Sequence, residues 1–141
     1  MEKYNDLEIA IMSCIIQRPE LLKELRLEEK HFLKHRRLWK FLMAFYDKFK
    51  TFDFVLMYSV AGNKYQLVEY LKQIAESEPA PSLFNKYQSR LIEVYEENEK
   101  EEEIRNKVYK LANELYVNKI SFQEFKDKIN SIPHQTDSNG A

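Results

Sequence analysis

The sequence predicts an all-α protein in which a small globular helical bundle is followed by a long helical hairpin. Apolar side chains recur at steps of three and four residues, whereas no segment alternates apolar and polar side chains at the period of two that a β-strand shows. From Ser82 to Asn118, neither proline nor glycine interrupts the helical pattern. We therefore expect a globular subdomain at residues 1–80, a hairpin for association at residues 81–132, and a disordered tail or the start of a linker at residues 133–141.

Composition narrows the class of protein. The chain has 141 residues, and its hydrophobic content of 44% suffices for one domain with its own core. The 22 Lys and Arg residues nearly balance the 23 Asp and Glu residues, which leaves a net charge of -1. This charge does not favour tight nonspecific binding to nucleic acid. The single cysteine, Cys14, lies among apolar residues and cannot form an internal disulfide, which is typical of a reducing cytosol. No stretch approaches the roughly 20 apolar residues that span a bilayer, and the polar start differs from a signal peptide. We expect a cytoplasmic protein without membrane contact.

Nothing in the sequence indicates enzyme chemistry. The chain has two glycines, Gly62 and Gly140, so it lacks both a phosphate loop and a dinucleotide-binding fingerprint. His31 and His35 are four residues apart and could share a metal ion, but no third ligand accompanies them, because His134 lies in the tail. No set of Ser, His and Asp residues or paired carboxylates stands out. We expect no catalytic residue, no cofactor and no metal.

The first half of the globular subdomain is predicted to contain one long and one short helix. Asn5 and Glu8 are spaced as a capping pair for a first helix, whose apolar residues run from Leu7 to Ile16. Pro19 suits the first turn of a short second helix, in which Glu20 lies near the positive end of the helix dipole.

The second half of the subdomain is predicted to contain three more helices. The apolar residues between Leu33 and Phe49 recur at helical spacing, which predicts a mostly buried helix. Asp53 is a candidate N-cap of a short apolar helix. The break at Gly62 and Asn63 precedes an amphipathic helix, which ends before the prolines at positions 79 and 81.

The hairpin is predicted from one uninterrupted helix and a shorter partner. At 1.5 Å per residue, the helix between Ser82 and Asn118 would reach about 50 Å. Ser121 and Glu124 form a capping box that opens the last helix. Apolar side chains continue on both sides of the turn at residues 117–120, and the shorter arm can cover only part of them, which indicates another subunit or another protein. We call these residues the association stripe: Ile104, Val108, Leu111, Leu115, Tyr116, Phe122, Phe125 and Ile129.

A cluster of cations at residues 30–40 has two interpretations. Trp39 could stack against a base while the cations contact phosphates, which favours direct nucleic-acid binding. Helical geometry instead places Trp39 on one face with Leu42 and Met43, which predicts that Trp39 packs inward and that the cations remain in water. The functional interpretation of these cations includes an acidic protein partner as well as DNA. We call these cations the basic patch: Lys30, Lys34, Arg36, Arg37 and Lys40.

The order of these motifs resembles the amino-terminal domain of DnaB-type replicative DNA helicases over nearly all of residues 6–130. The family shows an acidic residue in an apolar opening helix, an acidic-x-Phe turn, and a His-Arg pair ahead of an aromatic residue. It continues with an Asp before an apolar turn and a Tyr-Leu helix ended by a proline and an Asn. The matching residues here are Glu8, Phe32, His35, Arg36, Trp39, Asp53, Tyr70, Leu71, Pro79, Asn85 and Tyr87.

The resemblance implies a noncatalytic role in DNA replication. In this family the domain does no chemistry: its hairpins pair subunits into a collar on the helicase hexamer, and the collar receives the primase and influences loading. The resemblance therefore implies a homo-oligomer, dimeric or higher, that engages primase, helicase or a helicase loader and whose contact with DNA is indirect or weak.

Two alternatives stay open. Helicases of this family continue into a RecA-like motor with a phosphate loop, so the chain is either the front domain of a longer helicase or a freestanding phage or mobile-element protein that modulates a host helicase or primase. Direct nucleic-acid binding through the basic patch is the other alternative.

Overall fold

The computed structural model describes residues 2–132, and every regular element among them is helical. The all-α prediction is therefore confirmed for this part of the chain, whereas the predicted tail at 133–141 lies outside the described residues. The α-helices are α1 (Glu2–Gln17), α2 (Arg36–Phe49), α3 (Phe54–Ala61), α4 (Tyr65–Glu76), α5 (Phe84–Tyr116) and α6 (Phe122–Ser131). Short 3-10 helices lie at Pro19–Glu24, Glu29–His31 and Pro81–Leu83.

The described residues form two compact units, one at residues 2–95 and the other at residues 96–132. The core of the first unit is contributed by every helix from α1 to α4 and by the first part of α5. Helix α1 packs against α4 and against the 3-10 helix that follows it, while α3 packs against α4. The largest fully buried apolar side chains are Phe32, Phe84, Ile11, Met12, Ile15, Leu38, Leu42, Met57, Leu71, Ile74 and Leu91.

The first unit extends beyond the boundary at residue 80 that the sequence suggested. Pro81, one of the two prolines that prompted this boundary, opens a 3-10 turn, after which Phe84, Leu91 and Val94 on α5 pack into the core. Gln88 is completely buried: its Oε1 accepts the backbone N–H of Arg26 at 2.7 Å, and its Nε2 donates to the carbonyl oxygen of Glu24 at 3.1 Å. These two hydrogen bonds join the start of α5 to residues 24–26, which precede the basic patch.

Two predicted helix starts differ from the observed ones. Helix α1 begins at Glu2, so the predicted capping pair of Asn5 and Glu8 lies inside the helix and caps nothing there. Helix α2 begins at Arg36 instead of Leu33, because the preceding residues form a 3-10 turn at Glu29–His31 and a bend. The Asp53 cap is confirmed: its carboxylate accepts the backbone N–H of Leu56 at 2.9 Å.

The second unit contains the end of α5, a tight turn and α6. Asn118 adopts a left-handed conformation with φ of 61°. The N–H groups of Asn118 and Lys119 donate to the carbonyl oxygens of Leu115 and Glu114 at 3.1 and 2.8 Å, the bonding pattern of a Schellman C-cap. Ser121 then opens α6 by accepting the N–H of Glu124 at 3.1 Å, so the predicted N-cap of the last helix is confirmed.

Candidate interaction surfaces

The association stripe remains accessible within the second unit. Among the described residues from 96 to 132, no apolar side chain is fully buried, whereas the core side chains of the first unit are. Ile104, Leu111, Leu115, Phe125 and Ile129 are half-buried, and Val108, Tyr116 and Phe122 are exposed.

Tyr116 lies off the line followed by the rest of the stripe on α5. Each residue turns the helix by about 100°, so Tyr116 points well away from Leu115 and shares a face with Tyr109, seven positions earlier. Both tyrosines are strongly exposed, at 85% and 68%. The apolar surface of α5 in this unit therefore has two parts: a line of half-buried aliphatic residues and a neighbouring pair of exposed tyrosines.

The basic patch stays in water, whereas Trp39 packs inward as predicted. All five cations are exposed, while Trp39 is 5% exposed and stacks on Phe32 with a ring-centroid separation of 4.2 Å. Trp39 therefore offers no face on which a nucleobase could stack. Lys40 forms an ion pair with Glu29 at 3.6 Å, and the Lys30 ammonium lies 5.6 Å from the centre of the Tyr95 ring.

A buried polar cluster holds the segment that leads into α2. Glu8 is completely buried, and its carboxylate accepts the backbone N–H groups of His35 at 2.8 Å and Lys34 at 3.2 Å. His35 Nε2 lies 2.7 Å from Asn5 Oδ1, which accepts its hydrogen. The His35 ring also meets the ring of Tyr70 edge to face, with centroids 4.6 Å apart.

Burial sets the ionisation of this cluster. It raises the pKa of Glu8, an effect that the N–H donors of residues 33–35 oppose. It lowers the pKa of His35 to about 4, with a smaller contribution from the neighbouring Lys34 ammonium, so the imidazole is neutral at pH 7. With Nε2 donating to Asn5, the other ring nitrogen carries no hydrogen, and among the described residues it has no hydrogen-bond partner. The cluster is therefore a structural clamp across 27 residues of sequence.

A groove of about 610 Å³ lies beside this clamp, between α2 and the start of α4. Its apolar and aromatic lining includes Leu38, Phe41, Leu67 and Tyr70, and its polar lining includes Arg37, Lys40, Lys64, Tyr65 and Gln66. We call it the α2–α4 groove. Two basic-patch residues, Arg37 and Lys40, thus share a surface with Lys64 and Tyr65, which the sequence analysis did not single out. The sequence signal was weak, because Lys64 and Tyr65 simply follow the break at Gly62.

Helix α3 carries a second exposed apolar surface that the sequence analysis did not single out. Val55 is 77% exposed and Val60 51% exposed, whereas Met57 and Ala61 on the same helix are buried. Continuous hydrophobicity in this short segment concealed which residues face the core.

Within residues 2–132, no three His, Cys, Asp or Glu side chains are grouped as a metal ion would require. No helix in the same range has both the length and the apolar character of a membrane span. Comparison with protein-family models, with curated proteins and with solved structures found no match.

Proposed function

We propose that this chain is a noncatalytic assembly module of the DNA replication machinery that self-associates through the association stripe. The observation that carries the proposal is the state of the second unit, where the described apolar side chains are half-buried or exposed. Apolar surface that a single copy leaves in contact with water favours association, at roughly 25 cal/mol per Å² removed from water.

The replication role comes from the resemblance to the amino-terminal domain of DnaB-type helicases. That resemblance suggests a homo-oligomer whose hairpin region engages primase, helicase or a helicase loader. Features that agree with it are the all-helical first unit, the long α5 and the helix α6 that follows a tight turn. The clamp also gives a physical reason for an acidic residue at Glu8, because its buried carboxylate accepts the backbone N–H groups of Lys34 and His35.

The test of self-association uses variants that add the same charge to different faces of α5. Leu115→Asp places a carboxylate in the stripe, whereas Asn106→Asp places one about half a turn away on an exposed position. We expect light scattering after size exclusion to show a dimer or higher oligomer for the unmodified chain and for Asn106→Asp, and a monomer for Leu115→Asp. A monomeric unmodified chain at about 100 μM would contradict the proposal, since even a weak specific dimer forms at that concentration.

A second stripe variant guards against a folding artefact. Val108 is 39% exposed, so Val108→Asp should leave the helical circular dichroism of the chain unchanged while still weakening association. If both stripe variants keep the oligomer of the unmodified chain, the stripe is not the interface.

The replication role needs its own measurement. Binding of primase, of replicative helicase and of a helicase loader to the immobilised chain can be compared, with Leu115→Asp and Asn106→Asp as paired controls. We expect at least one of the three to bind the unmodified chain and Asn106→Asp but not Leu115→Asp. Failure of all three would contradict the replication role and leave the self-association result standing.

A further inference from the structure

The α2–α4 groove combines an apolar floor with positive charge. Leu38 is 1% exposed, and Phe41, Leu67 and Tyr70 are half-buried, so the floor is apolar and partly open to solvent. The three charged lining residues, Arg37, Lys40 and Lys64, are all cations. Its volume falls in the range of about 300–1,000 Å³ that is typical of ligand sites in proteins.

The floor of the groove is held in place by the interior of the first unit. The ring of Tyr70 rests edge to face against buried His35, and its hydroxyl accepts a hydrogen bond from Gln66 Nε2 at 3.0 Å. His35 is in turn fixed through its backbone N–H to Glu8. A site formed in this way needs little rearrangement on binding, which lowers the entropic cost of taking up a ligand.

The rim, in contrast, is accessible. Arg37 and Lys64 are exposed, and Tyr65 is 76% exposed beside them. The Lys40 ammonium forms an ion pair with the Glu29 carboxylate, 3.6 Å away. Because this pair is exposed and weak, a ligand carboxylate can replace Glu29 as the partner of Lys40. An exposed tyrosine next to cations is a common anchor at protein interfaces, because its ring adds contact area and its hydroxyl stays hydrated.

We propose that the α2–α4 groove binds an acidic segment of a partner protein, in which apolar side chains enter the floor and flanking carboxylates meet Arg37, Lys40 and Lys64. Charge complementarity specifies the carboxylates, and the apolar floor specifies the side chains between them. A peptide fits better than a nucleic acid. The cations rim an apolar floor, which suits apolar side chains flanked by carboxylates, instead of tracking an extended phosphate backbone.

Peptide binding at the α2–α4 groove does not depend on the association stripe. The groove belongs wholly to the first unit, whereas every stripe residue belongs to the second. Leu115→Asp should therefore leave peptide binding at the groove unchanged, and the two proposals can fail separately.

The experiment selects a phage-displayed random peptide library on the full chain and counter-selects it on the double variant Arg37→Glu, Lys64→Glu. We expect the enriched peptides to carry acidic residues on either side of aromatic or large aliphatic residues. No enrichment, or enriched peptides that are neutral or basic, would overturn the proposal.

One enriched peptide, labelled with fluorescein, then serves as the probe in anisotropy titrations. We expect its affinity to fall about tenfold or more in the double variant, to weaken with added salt, and to fall also in Tyr65→Ser. Lys86→Glu is the matched control, since Lys86 is an exposed cation on α5 outside the groove lining, and it should bind as the unmodified chain does. Equal affinity for the double variant and the unmodified chain would overturn the proposal.

Oligothymidylate of similar length provides the competing outcome. We expect it to leave the bound peptide in place at moderate salt. If the oligonucleotide displaces the peptide and its own binding is lost in the double variant, the groove is a nucleic-acid site, and the peptide proposal is wrong.

Discussion

Replacing Glu8 tests whether the buried clamp holds the first unit together. The carboxylate of Glu8 accepts N–H groups from His35 and Lys34 at 2.8 and 3.2 Å. Each hydrogen bond to a charged acceptor contributes about 1.5–3 kcal/mol. Burial of the carboxylate offsets part of this gain, as its raised pKa indicates, so we expect Glu8→Ala to lower the free energy of unfolding by about 3 kcal/mol.

Glu8→Gln refines this expectation, because the amide keeps the shape and one acceptor oxygen but turns an NH2 group toward the second donor. The loss should be smaller, about 1–2 kcal/mol. Urea denaturation followed by circular dichroism measures both, with Glu76→Ala at an exposed position of α4 as the control, expected within about 0.5 kcal/mol of the unmodified chain. If Glu8→Ala were no more destabilising than Glu76→Ala, the clamp would not contribute to the free energy of unfolding, contrary to this prediction.

Three further predictions concern Cys14, the turn at Asn118 and the titration of His35. Cys14 is fully buried and burial raises its pKa to about 11, so a thiol reagent should label it only in denaturant; rapid labelling of the native protein would contradict this. Because Asn118 has φ of 61°, Asn118→Val should destabilise the turn by about 1 kcal/mol or more while Asn118→Gly is nearly neutral in thermal melts. Burial lowers the pKa of His35 to about 4, so between about pH 6.5 and 4 the unfolded chain binds a proton that the folded chain does not. His35 should therefore lower stability as the pH falls, by up to about 3 kcal/mol, while the raised pKa of Glu8 acts in the opposite direction. In urea titrations, His35→Gln should be less destabilised by acid than the unmodified chain.

Most of the fold could be predicted from patterns among residues that are close in sequence. The caps at Asp53 and Ser121 depend on neighbours three residues away, so the sequence reveals them. The continuity of α5 follows in the same way from the absence of prolines and glycines between residues 84 and 116. The exposed basic patch and buried Trp39 also follow, because helical geometry separates their directions.

Contacts between distant segments limited the prediction. Glu8 has the spacing of a helix-capping residue, but its actual partners are backbone groups 26 and 27 residues later. The α2–α4 groove likewise joins Arg37 and Lys40 to Lys64 and Tyr65, and no local pattern links these two segments. A pairing set by tertiary packing has no spacing rule, so sequence reasoning could name half of the groove and miss the rest.

Hydrogen exchange measured at two protein concentrations tests the central claim, that the association stripe is an interface between copies. Between about 1 and 200 μM, mass action should shift the chain from monomer to oligomer. Peptides covering residues 104–129 should then exchange more slowly at the higher concentration, while those covering α2 should exchange at the same rate at both. Identical exchange of residues 104–129 at the two concentrations, in a sample shown by light scattering to associate, would place the interface elsewhere and contradict the account.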